Sequence, residues 1–240
     1  MSAISRRYIE TYEKINTLSN SRFWQKGKVT LVVVTKNQPV EKCLEVISAG
    51  ATSLGENYPE EAVQKYTTNV LNKIQLHFIG HLQSRKISLL ERVFSYWHTI
   101  DEYSSAKKVS NRFYENGRVL PSLLEVNLSN ENTKNGIKIG CDSQEQHFLE
   151  SIQEYLELPG IKLCGLMTMG FYPETPETNK NIYKKCRVLQ QKIQDRYKLD
   201  SFTELSMGTS FDYGTAIMEG ATFVRIGELI MGKRNVKDKK

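Results

Sequence analysis

A single (β/α)8 barrel of the TIM type with an extra N-terminal helix is the fold class predicted by three observations on the 240-residue sequence. About eight short apolar runs are rich in β-branched and aromatic residues, the composition of strands buried on both faces. Amphipathic stretches of helical period separate them, and repeated β-then-α units imply parallel strands. No G-x-G-x-x-G follows the first run, where a dinucleotide site would place its glycines, so a Rossmann-like open sheet ranks second. No repeat, low-complexity region or proline-rich linker divides the chain, and residues 1–240 are read as one barrel domain.

Periodicity first predicts a helix from Ile4 to Phe23. TLVVVTKNQP, at Thr30 to Pro39, holds most of the first strand, Val29 to Thr35, and a helix from Val40 to Ala49 is stopped by Gly50. Thr52 to Leu54 is the second strand and Pro59 to Leu71 its helix. Gln75 to Ile79 and Phe94 to Ile100 are the third and fourth strands, and Ser104 to Asn116 is a helix terminated by Gly117. Val119 to Asn127 is the fifth strand, followed by a helix from Ser143 to Leu156 with Asp142 or Ser143 as its cap. Lys162 to Thr168, Phe202 to Ser206 and Thr222 to Ile226 complete the strands. Helices at Glu177 to Tyr197 and Phe211 to Glu219 separate these last three.

Composition narrows the class of protein. With 39% hydrophobic and 25% charged residues the chain is an ordinary globular protein. Its net charge of +6 comes partly from KRNVKDKK, and residues 235–240 are read as a disordered basic tail. No aromatic-interleaved basic stretch supports nucleic-acid binding, and no apolar run approaches the ~20 residues of a membrane span. Cys43, Cys141, Cys164 and Cys186 have no CxxC spacing, and no signal peptide is evident, so a reducing, cytoplasmic setting is expected.

In a barrel, functional groups gather at the C-terminal ends of strands, and phosphate sites commonly lie after the seventh and eighth. Lys36 ends the first strand, where an ammonium is costly unless it is paired or gives up its proton. It is either a surface residue or a tuned amine. The seventh strand runs into LSMGTSFDYGTA, where Ser206, Gly208, Thr209 and Ser210 offer hydroxyls and a close backbone. The eighth runs into FVRIGELIMG, where the amides of Gly227 and Glu228 complete a cradle. Each alone is more often an ordinary cap; their joint placement carries the weight. Arg225, flanked by apolar residues, is either a structural ion pair or an arginine facing a ring nitrogen. An amine, a phosphate cradle and an arginine together match pyridoxal 5′-phosphate (PLP).

With those residues in view, the sequence resembles the YggS/PROSC family of pyridoxal phosphate homeostasis proteins almost end to end. The resemblance rests on VVTKNQP, LGENYPEE, LHFIGHLQSRK, HTID, LLEVNLSNENTKNG, GLMTMG, LSMGTSFDYGTAI and VRIGELIMGKR, in that order. It implies the fold-type III barrel shared with alanine racemase and a Schiff base on Lys36. By the same resemblance Ser210, Gly227 and Glu228 approach the phosphate, Arg225 faces the pyridine nitrogen, and Asn57 lies near the mouth of the pocket. Thr209 stands where the family usually has methionine, and Glu228 where it has threonine or serine. A carboxylate repels a phosphate dianion, so Glu228 is expected to turn its side chain away, with some loss of affinity.

A carrier that buffers and delivers PLP, to apoenzymes as recipients, is the function this resemblance implies. No catalytic residue or metal ligand is assigned, and a monomer is expected. The alternative is a PLP-dependent racemase or lyase acting on a small amino acid. Racemases take a second acid/base from another domain of a partner subunit, and Asn235 to Lys240 leaves no room for one. A class I aldolase, with an imine on a barrel lysine, ranks last. His77 and His81 are read as packing or hydrogen-bonding residues, and Cys43 and Cys164 as core. Glu125 and Asn127 share one face of the fifth strand and can point into the barrel. Lys134 is read as a mobile loop amine open to incidental modification by aldehyde.

Overall fold

The computed structural model describes residues 1–21, 28–129, 135–171 and 176–233. Lys134 and the 235–240 tail lie outside the described residues, as do Arg22 and Phe23, the last two residues expected in the opening helix. The strands are β1 (Thr30–Val34), β2 (Ser53–Glu56), β3 (Gln75–Phe78), β4 (Tyr96–Ile100), β5 (Leu120–Asn127), β6 (Ile137–Lys138), β7 (Ile161–Met167), β8 (Glu204–Thr209) and β9 (Phe223–Ile226). All pairings are parallel. The order runs β4-β3-β2-β1-β9-β8-β7-β5, and the β4–β5 pairing closes it into an eight-stranded barrel, with two-residue β6 beside β5. Closure excludes the open Rossmann-like sheet.

Ten helices surround the strands among the described residues. They are α1 (Ala3–Asn20), α2 (Val40–Ser48), α3 (Pro59–Lys65), α4 (Thr68–Leu71), α5 (Ile87–Val93), α6 (Tyr103–Glu115), α7 (Asp142–Leu156), α8 (Pro176–Tyr197), α9 (Tyr213–Met218) and α10 (Glu228–Met231). Alternation along each strand divides the core in two. Outward residues such as Leu31, Val33, Leu205, Met207, Val224 and Ile226 join the main core shared with the helices. Inside the barrel, Leu123, Cys164 and Met167 form a smaller cluster, and the rings of His77, Tyr96, His98 and Phe223 pack against one another. The extra helix α1 lies against α2, α9 and α10, and Arg7 Nε donates to the Ile230 carbonyl at 2.7 Å.

Three sequence expectations are corrected. The stretch from Pro59 to Leu71 is two short helices, because Tyr66 adopts extended backbone and buries its ring. There its hydroxyl meets the Thr35 hydroxyl at 2.9 Å and donates to Glu56 at 3.1 Å. The cap of α7 is Cys141, whose sulfur meets the Ser143 hydroxyl at 3.2 Å, and Asp142 is already helical. Gln144 reaches back past the cap and accepts from the Gly140 amide at 2.7 Å, which ties the entering chain to the first turn. The seventh barrel strand lies further along than expected, at Glu204–Thr209. This places Ser206 within the strand.

Candidate functional site

The C-terminal ends of the strands enclose a cavity of about 380 Å3. Lys36, Asn57, Thr209, Ser210, Arg225, Gly227 and Glu228 all line it. Ser206 does not; it is fully buried beneath Arg225.

Half-buried Lys36 follows β1 directly, in a turn where the Gln38 amide donates to the Thr35 carbonyl at 3.1 Å. Asn37 completes that turn at φ 57°, a conformation asparagine tolerates better than most residues. Asn57 follows β2. Gly80, after β3, comes so close that an added Cβ would lie 2.2 Å from the Asn57 carbonyl oxygen, so only glycine fits there. The Asn57 Oδ1 atom is buried without a hydrogen-bond partner.

The β8–α9 segment owes its path to Gly208, at φ 90°, where a Cβ would meet that of Ala216 at 2.6 Å. Asp212 then clasps the turn, accepting from the Thr209 amide at 2.7 Å and the Thr209 hydroxyl at 3.1 Å. Its other oxygen accepts from Asn179 at 2.6 Å and from Tyr183. The Thr209 proton is thereby committed to Asp212, while Ser210 presents its oxygen to the next loop. That oxygen receives the Gly227 and Leu229 amides at 3.3 and 3.4 Å. Glu228 begins α10 as an exposed residue at the rim.

Arg225 points inward from β9 and is 5% exposed. It donates to Ser206 Oγ at 2.6 Å, to the Thr168 carbonyl at 3.1 Å and to Met169 sulfur. Ser206 Oγ also meets His98 Nδ1 at 2.8 Å, and His98 Nε2 meets His77 Nδ1 at 2.9 Å. Burial holds His77 down to about 3, and burial together with His77 and Arg225 holds His98 well below its ordinary value. Both rings are neutral at neutral pH, so Arg225 rests on an uncharged floor. Burial also lowers Arg225, against the opposing pull of Tyr183, Glu125 and Asp212. It stays cationic all the same.

Glu125, 8% exposed on β5, faces the same cavity from the side opposite β1. Burial first and Asp101 second push its carboxyl up to about 7, while Arg225 and His81 pull it down. Sequence alternation placed Glu125 inside the barrel but attached no role to it. The packing and hydrogen-bonding role read for His77 is what the structure shows, but its partner His98 escaped sequence reading, although the alternation of Tyr96 and His98 along the fourth strand carries the signal. His81 also lines the cavity and meets Asp101 at 2.8 Å, and Cys43 and Cys164 are buried.

Parallel strands closed into a barrel, with a lysine after the first and an arginine on the last at one mouth, define a barrel of the alanine racemase type. The family model described as "Alanine racemase, N-terminal domain" matches residues 15–235. A pyridoxal phosphate homeostasis protein of Aquifex aeolicus is 37% identical over 205 residues, covering 85% of this chain and 86% of that one. Its counterpart in Escherichia coli K12 is 30% identical over the full length of both. The structure of PipY from Synechococcus elongatus aligns with a TM-score of 0.83 at 26% identity, over 95% of this chain and 100% of that chain. The same protein with PLP bound gives 0.80 at 25% identity, over the same shares. The chain belongs to the pyridoxal phosphate homeostasis protein family, within the alanine racemase N-terminal domain family. No helix of the described residues is long and apolar enough to cross a membrane.

Proposed function

We propose that this protein holds PLP as a Schiff base on Lys36 and buffers and delivers it to apoenzymes, as a monomer without robust catalysis of its own. The observation that carries this reading is the meeting of Lys36, Ser210, Gly227 and Arg225 around one cavity. PipY binds PLP in its solved structure, and the curated relatives are named homeostasis proteins, which supports the same reading.

The residues fit the group. An aldehyde needs a primary amine, which Lys36 supplies. A phosphate needs convergent donors, and the Gly227 and Leu229 amides already point to one oxygen, that of Ser210. Their length leaves both donors open to a stronger acceptor. Asn57 Oδ1 retains an acceptor for a ligand donor. Arg225 uses three of its five N–H donors on described residues and keeps two for a ring nitrogen. Bound PLP supplies a reactive aldehyde and an electron-withdrawing ring. The Lys36 amine condenses with the aldehyde, releasing water, and hydrolysis returns both. Because Arg225 only donates and stays charged, a nitrogen facing it is kept unprotonated, and the ring withdraws electrons less strongly. Holding is favoured over carbanion chemistry. Glu228, exposed at the rim, adds negative charge near the phosphate donors and weakens retention.

Borohydride reduction of PLP-loaded protein, followed by peptide mapping, tests the assignment. The adduct is expected on Lys36 and absent from Lys36→Ala. An adduct confined to another lysine overturns it.

A PLP-dependent racemase or lyase acting on a small amino acid is the second reading, and Glu125 favours it. A carboxyl that titrates near 7 opposite the lysine can exchange a proton at neutral pH. Turnover of alanine well above a free-cofactor control, lost in Glu125→Gln, would move the assignment to this enzyme.

A further inference from the structure

The turn that carries Lys36 is gripped from outside the cavity by a buried ionic cluster on β2 and α3. Lys65, at the end of α3, has a side chain 9% exposed, and its ammonium is shared three ways. It donates to the Thr35 carbonyl at 2.7 Å, to Glu56 at 3.0 Å and to Glu61. Glu61 in turn accepts from the Asn37 amide at 2.7 Å. Glu56, wholly buried, accepts from the Thr35 hydroxyl at 2.8 Å and from Tyr66 at 3.1 Å. The peptide group on each side of Lys36 is therefore tied to the same cation, one directly and one through Glu61. Charge-assisted bonds of this kind are the strong ones, and here they hold backbone at a turn.

We propose that Lys65, acting with Glu56 and Glu61, is a positioning residue that locks the Thr35–Asn37 backbone and so sets the exposure and exchange rate of the Lys36 amine. The proposal rests on Lys36 being the residue that takes the aldehyde. It assigns LGENYPEEAVQK a second task besides placing Asn57 at the mouth. A carrier must release what it holds, and a rigid mounting for the amine slows that release without any contact to the cargo.

Four variants test this: Lys65→Met, Lys65→Arg, Glu61→Ala and, as a control, Ile152→Val, a core change on the distant helix α7. In ligand-free protein, amide hydrogen exchange at Asn37 and labelling of Lys36 by an amine acylating reagent are measured. In PLP-loaded protein, release into excess aminooxy trap is followed by absorbance. Lys65→Met is expected to raise all three rates by about tenfold, the loss of one charge-assisted bond, with Lys65→Arg returning them toward wild type. Where Lys65→Met leaves Glu56 uncompensated and does not accumulate as folded protein, Glu61→Ala, at a partly exposed position, carries the test. Rates unchanged in the folded variants overturn the proposal. So does an equal rise in Ile152→Val, which would mean that general loosening is enough. Reduction mapping of wild type decides the Lys36 assignment by itself, while exchange and labelling in ligand-free protein decide the clamp.

Discussion

The Ser206 hydroxyl stands between a guanidinium that can only donate and an imidazole nitrogen, and both neighbours are buried. If it accepts from Arg225 and donates to His98 Nδ1, the His98 proton sits on Nε2 and faces His77 Nδ1. His77 then carries its proton on Nε2, an atom that is buried without a partner. Ser206→Ala strands a buried donor and a buried ring nitrogen, and is expected to cost about 2–4 kcal/mol in urea unfolding. It also frees Arg225 to move, so affinity for PLP, read by equilibrium dialysis, is expected to fall as well. Glu125 has a pH signature of its own. Its folded value, about 7, lies above its ordinary 4.5, so the folded state binds the extra proton between those values. Its contribution is full below 4.5 and lost as pH rises through 7, up to about 3 kcal/mol in all. Wild type is therefore expected to lose stability relative to Glu125→Gln between pH 4.5 and 7, and a constant difference in unfolding free energy would refute this.

At the scale of elements, the β8–α9 segment shows how a site loop is made by contact with a helix. Gly208 adopts positive φ under Ala216, so Gly208→Ala brings backbone strain and a clash together, expected to cost about 3 kcal/mol. Thermal unfolding measures it. The strand pattern was legible in the sequence: all eight barrel strands were found, because burial on both faces keeps most of each run apolar, with His77, Glu125, Ser206 and Arg225 among the scattered inward-facing exceptions. The helix α5 was not legible. Its seven residues follow a 3-10 turn at Ser84–Lys86, too short a stretch for helical period to stand out. The break at Tyr66 was also invisible, since a tyrosine gives no local stop signal and only its hydroxyl's partners, Thr35 and Glu56, draw it out of the helix.

Taken whole, the molecule is a barrel whose interior becomes polar toward one end. Aromatic rings and two neutral histidines lie below, Ser206 and Arg225 above them, and Lys36, Glu125 and Asn57 at the mouth. The buried histidines make the whole molecule acid-sensitive. Their folded values are depressed, so they contribute stability above about 6.5 that is lost as pH falls toward 3. Acid unfolding followed by circular dichroism is expected to shift to lower pH in His77→Phe; an unshifted midpoint would mean that the carboxylates alone set it. The sequence by itself determined the alternation of strands and helices, the amine after the first strand, and the polar residues after the last two. Those follow from local composition and from the rule that parallel barrels collect function at one end. Tertiary structure alone decided that Ser206 supports Arg225 from below and that Glu125 titrates near neutrality. It also decided that a lysine twenty-nine positions along, Lys65, grips the turn of Lys36. Hydrogen bonding and desolvation depend on which strands close on one another, and closure joins residues that no local pattern connects.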